Sequence, residues 1–128
     1  MTSTPITLTA GVTTTVDFTS PSTQTYGSNA QITLGSVNAM YAGDASGNKQ
    51  VKYAGTNSDN FAILVTILND NAINTQASTL RNVYSTADLD LNGTVKYSGT
   101  TNDRTVIYDT VLNNNGTEST ILVQQFPN

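Results

Sequence analysis

Asp88, Asp90 and Asn92 stand at alternate positions of the stretch DLDLNGTVKYSGTTND, residues 88 to 103, and Gly93 follows them. Oxygen-bearing side chains in that pattern, closed by a glycine free to take positive φ, suit a hard divalent cation, because Ca2+ gathers about six to eight oxygen ligands around a tight turn. Thr94 would add its backbone carbonyl, and Val95 falls where such a loop points a hydrophobe at the core. An EF-hand loop would then close with a carboxylate at the twelfth position. That position is Gly99, and the next acid is Asp103, four residues late. If YSGTT bulges outward, Asp103 can swing back onto the ion from the first turn of a following helix.

The delay recurs. VKYAGTNSDNFAILVTIL (51–68) lies over VKYSGTTNDRTVIYDTVL (95–112) at an offset of 44 residues, without a gap and with half the positions identical. The same register lays Asp44, Ser46, Asn48 and Gln50 over Asp88, Asp90, Asn92 and Thr94, and Asp59 over Asp103. The first loop is the weaker metal site, with Ser46 where Asp90 stands, Lys49 where Gly93 stands, and carboxylates only at Asp44 and Asp59. Asp and Asn at loop starts also make Asx-turns and helix caps without metal. Against that reading, five of the nine acidic residues sit at these repeat positions, where uncompensated carboxylates repel one another.

Positioning these residues requires a loop followed by a helix in each copy. NSDNFAILVTILND places Phe61, Leu64 and Leu68 on one face with Ile63 and Ile67 beside it, and the second copy keeps Ile107, Val111 and Leu112. Asn57 or Ser58, and Asn102 or Thr101, are suitable N-caps, and both helices should end near LNDN and LNNN. Before the repeats, ITLTAGVTTTVDF reads as a hairpin turning at Ala10-Gly11, and AQITLGSVNAMY as short strands broken at Gly35-Ser36. After them, STILVQQFPN reads as a closing strand stopped by Pro127. Val51-Tyr53 and Val95-Tyr97, in period two, read as core-facing strand; a tyrosine presented to a sugar ring is the sharper alternative.

The composition narrows the function. With 128 residues the chain has the length of one ordinary domain. Neither Cys nor His occurs, which removes disulfides, thiolate or imidazole zinc sites and His-dependent triads. A net charge of -4 disfavours nucleic acid, and no apolar run is long enough for a membrane span. MTSTPITLTAG lacks the basic start and apolar core of a signal peptide. The abundance of Thr, Ser and Asn beside scarce Lys and Glu points outward, to a bacterial surface.

The duplicated D-x-D-x-N-G-x-V start followed by a helix resembles dockerins, calcium-binding interaction modules of two loop-helix repeats. Dockerin loops close at the twelfth position, whereas each loop here carries KY-x-G-T-x-x-D before its helix. The chain is similar, from about Val12 onward, to C-terminal modules of secreted bacterial hemagglutinin-like or adhesin-like proteins, on TTTVDFTS, YAGD, the paired VKY-x-G units and VQQFPN. That resemblance implies an extracellular location, calcium in the loops and a role in adhesion or assembly.

The expectation is therefore one α+β domain: a β-strand portion over 1–42 packed on dockerin-like or EF-hand-like loop-helix repeats at 43–71 and 87–115, with a closing strand at 119–127. Its function would be that of a non-catalytic, secreted, calcium-binding structural or adhesion module with a protein partner. A self-assembling surface or filament subunit using β-strand pairing is the main alternative, and a glycan-binding module the third.

Overall fold

The β-branched segments on either side of Gly35-Ser36 pair as an antiparallel hairpin in the computed structural model, which describes residues 2–27, 30–115 and 117–123. β1 (Gln31–Leu34) and β2 (Val37–Met40) run in the register Leu34↔Val37 to Gln31↔Met40, and Gly35 takes the positive φ that the two-residue turn demands. This hairpin belongs to the first of two compact units, which meet in sequence at Tyr41 and Ala42. Gln31 Nε2 donates to the carbonyl of Phe18 at 2.7 Å, and the N–H of Asn38 to that of Thr19 at 2.8 Å.

The hairpin expected over residues 6–18 does not form. A turn is present at Ala10-Gly11, with the Val12 N–H on the Thr9 carbonyl at 3.1 Å, but residues 5–9 and 12–17 build no ladder. Period-two patterning makes a strand only where one face is covered, and a lone two-stranded ribbon is marginal in water. Here Leu8 is 80% and Val12 63% exposed.

The second unit, Ala42–Val123, holds all the buried hydrophobic side chains found among the described residues. Its elements are β3 (Gln50–Lys52), α1 (Asp59–Asp70), β4 (Thr79–Arg81), β5 (Thr94–Lys96), α2 (Arg104–Asn115) and β6 (Ile121–Val123). The strand after each helix crosses to the other copy. β4 pairs antiparallel with β5, setting Leu80 opposite Val95, and β6 pairs with β3, setting Leu122 opposite Val51. The chain is thus α+β, and its 44-residue repeat is a structural one.

Ser58 caps α1 through its hydroxyl, which accepts from the Phe61 N–H at 3.3 Å. α2 begins at Arg104, one residue later in register than α1, so Asp103 precedes its helix while Asp59 opens its own. Ile63, Ile67, Ile107 and Val111 are fully buried with Val51 and Val95, packed by Leu80, Ala45 and Ala87. The buried stripe of α1 is therefore the i, i+4 pair Ile63 and Ile67, while Phe61 and Leu68 of the expected face are exposed at 57% and 41%. The two helices supply one narrow stripe each because the core between them is only a few side chains wide. Leu112's side chain and residues 124–127 of the expected closing strand lie outside the described residues.

Candidate metal centre

Each loop is shaped by its first aspartate. In the second copy Asp88 Oδ1 accepts from the Asn92 N–H at 3.1 Å and Oδ2 from the Gly93 N–H at 2.8 Å; in the first, Asp44 accepts in the same way from Asn48 at 3.1 Å and Lys49 at 2.8 Å. Carboxylates so placed wind the backbone around themselves, and the winding needs positive φ. Leu91 (58°) and Gly93 (79°) supply it in the second loop, Gly47 (70°) and Lys49 (68°) in the first. Leu91 and Lys49 bear a steric cost that glycine avoids.

The asparagines tie each loop to its strand. Asn92 Oδ1 accepts from the Thr94 N–H at 2.8 Å and from the Thr94 hydroxyl, and Asn48 Oδ1 accepts from the Gln50 N–H at 2.8 Å. Thr94 and Gln50 accordingly open β5 and β3.

The late carboxylates reach back. Asp103 Oδ1 accepts from the Leu89 N–H at 2.7 Å and Oδ2 from the Lys96 N–H at 2.8 Å, pinning the helix start to the beginning and end of the loop. Asp59 does the same to the N–H groups of Ser46 (3.0 Å) and Lys52 (2.8 Å). Between loop and helix, Gly55 and Gly99 turn the chain outward with φ of 90° and 86°. The lysine of each VKY closes that bulge, Lys52 Nζ donating to the Thr56 carbonyl at 2.7 Å and Lys96 Nζ to that of Thr100 at 2.6 Å.

In the second copy this folding gathers Asp88, Asp90 and Asp103 so that one oxygen of each lies within 4.8 Å of the others. Asp88 and Asp103 are buried and Asp90 is exposed. Asn92 is drawn to the cluster by a 2.7 Å bond from its Nδ2 to Asp90 Oδ2. Burial pushes the Asp103 carboxyl above the ordinary carboxylate value, the N–H groups of Lys96 and Leu89 pull it down, and the Asp90 charge raises it. The cations nearest in sequence work elsewhere: Lys96 on Thr100, and Arg104 with Nη2 on the Tyr53 hydroxyl at 2.9 Å and its guanidinium 4.4 Å from the Tyr97 ring centroid. An acidic triad with two of its three carboxylates buried can hold a metal ion.

The first copy differs where its sequence differs. Ser46, in the place of Asp90, donates its hydroxyl to Asp59 Oδ1 at 2.9 Å and lies 3.2 Å from Asp44 Oδ1, so a neutral side chain bridges the two carboxylates. Burial raises the Asp59 carboxyl, the N–H groups of Lys52 and Ser46 and the Ser46 hydroxyl oppose the rise, and the Asp44 charge adds to it. Two carboxylates with a hydroxyl between them form a satisfied polar network, a weaker invitation to a cation than three carboxylates together.

Residue types alone did not reveal the Leu89 and Lys96 N–H donors, nor the bridge from Arg104 of α2 to Tyr53 beside β3. The signal for the donors was present in the repeated VKY and the delayed Asp, since both recur only if strand and helix start are held together. No family model, no curated protein and no solved structure matches this chain.

Proposed function

We propose that the chain is a non-catalytic, extracellular calcium-binding module whose loops fix the fold and leave a surface for a protein partner, in the manner of the dockerin-like and adhesin-like modules that its repeat resembles. The observation that carries this reading is the convergence of Asp88, Asp90 and Asp103 within 4.8 Å, with Asp103 brought back from the start of α2. Oxygens around one Ca2+ lie about 2.3–2.6 Å from it, so two of them stand at most about 5 Å apart. The triad fits one ion. Every donor is a hard oxygen, which favours calcium or magnesium over softer metals, and the partly exposed loop suits the more permissive calcium.

Stoichiometry follows from the contrast between the loops. The second binds one Ca2+ through Asp88, Asp90 and Asp103, while Asn92, its Oδ1 taken by the Thr94 N–H and hydroxyl, holds the loop to β5 rather than the ion. The first, with Asp44, Ser46, Asn48, Gln50 and Asp59, stays closed on its own hydroxyl bridge. The partner surface adjoins the ion: Leu91 is 86% exposed in a strained backbone conformation within the loop, and Tyr84, next to the residue whose N–H meets the Gly93 carbonyl, is wholly exposed.

Calorimetric titration of chelator-stripped protein with Ca2+ tests the reading, with an expected stoichiometry of one. At free calcium about ten times the dissociation constant, the ion adds about 1.4 kcal/mol of stability. Absence of binding heat together with an unchanged melting midpoint would remove the ion from the account.

Self-assembly is favoured by a different observation. Each sheet among the described residues has only two strands, and Thr-rich arms before β1 carry exposed Leu8 and Val12. A subunit that pairs strands with its neighbours would elute as a concentration-dependent series in size-exclusion chromatography and form filaments visible by electron microscopy. A monomer at high concentration would eliminate this alternative.

A further inference from the structure

An open cleft of about 460 Å³ lies where the first bulge meets the start of α1. Phe61 and Tyr97 give it aromatic walls, while Thr56, Asn57, Ser58 and Asn60 line the remainder with hydroxyl and amide groups; the lining contains no charged side chain. The volume falls within the range of about 300–1,000 Å³ usual for small-molecule sites. Phe61 is 57% exposed on a helix whose buried stripe is Ile63 and Ile67, so the core does not account for its position. Tyr97 is held in place by the Arg104 guanidinium packed over its ring. Asn60 Oδ1 is buried with no hydrogen-bond partner, so its amide can turn toward a ligand without breaking a bond at that oxygen.

We infer that this cleft is a binding site for a neutral saccharide. A sugar ring presents apolar C–H faces and a rim of hydroxyls, which matches aromatic walls flanked by uncharged amides and hydroxyls. Phosphorylated, sialylated or uronic ligands do not match: no cation lines the cleft, and the chain carries a net charge of -4. Asn60 supplies the acceptor for a ligand hydroxyl, and Phe61 the platform for the ring. This goes beyond the calcium reading and is independent of it, because no residue of either candidate ligand set lines the cleft.

The test is titration of the whole chain, in calcium-containing buffer, with neutral hexasaccharides of glucose, xylose, galactose and N-acetylglucosamine and with an oligogalacturonate as the anionic control. At least one neutral oligosaccharide is expected to bind. Phe61→Ala should weaken it about tenfold, Asn60→Ala should weaken it measurably, and Leu68→Ala, exposed on the same helix away from the cleft, should bind as the wild type does. The exposure of Phe61 predicts an unchanged melting midpoint for its variant, and Asn60→Ala gives an independent readout if that fails. The inference is overturned if no neutral oligosaccharide binds, if only the oligogalacturonate binds, or if Phe61→Ala and Asn60→Ala both bind like the wild type. Failure here would leave the calcium titration untouched.

Discussion

Asp103 does two jobs through one carboxylate, organising backbone at 2.7 and 2.8 Å and lending charge to the triad, and these can be separated by substitution. Asp103→Asn keeps an oxygen for one of the two N–H groups and loses the charge. It is expected to abolish the calcium-dependent rise in melting midpoint while the variant still folds without metal. Asp88→Ala should lose the calcium response and, with the Gly93 N–H left without its acceptor, about 1–3 kcal/mol of metal-free stability. In the first loop, Ser46→Asp with Lys49→Gly installs the missing carboxylate and relieves a positive φ of 68°. Calorimetric stoichiometry should rise from one to two, and Lys49→Gly alone should stabilise by about 1 kcal/mol in denaturant unfolding.

pH sensitivity belongs to the same residues. Burial raises the folded-state pKa of Asp59 and Asp103 above the ordinary 3.8, so between those values the folded chain holds protons that the unfolded chain has released. Their contribution to stability is complete below 3.8 and is lost as pH rises through the raised values. Metal-free protein should therefore lose stability across that window on going from acid toward neutral pH. Calcium should remove the loss contributed by Asp103 and leave that of Asp59, which urea denaturation at several pH values can resolve.

At the scale of elements, the helices stand on very few side chains. Ile63 and Ile107 hold corresponding places in α1 and α2, both fully buried, so either one replaced by Ala should cost about 2–5 kcal/mol in urea unfolding, with a similar figure for the two. Both helices and both loops were legible in the sequence because their evidence is local: apolar spacing, a capping serine and an exact 44-residue register. The face of α1 was not. Phe61 and Leu68 have the spacing of a buried stripe, yet which apolar stripe is covered depends on what the chain brings against it. The 6–18 hairpin failed for the same reason, since alternation marks a strand only when tertiary structure supplies a covering face. In the site, Asp103 was legible because its delay is repeated in Asp59, whereas the difference between the loops turned on whether a serine hydroxyl would settle between two carboxylates, which spacing does not determine.

The distribution of burial over the whole chain is uneven. Every buried hydrophobic side chain among the described residues lies from Ala45 to Val111, and none precedes Tyr41. A chain beginning at Ala42 should therefore retain the helical circular dichroism and the melting midpoint of the whole protein. Limited proteolysis should cut first within residues 5–17, which have no ladder to protect them.

The crossing of β6 to β3 has a consequence for synthesis. Gln50 finds its partner only when Val123 has been made, and at about 5–20 residues per second the ribosome needs roughly 4–15 s to cover that stretch. During that interval Val51, which ends fully buried opposite Leu122, has no strand to lie against. The nascent chain is thus kept from locking early. The second unit can complete its core only once Val123 has been made.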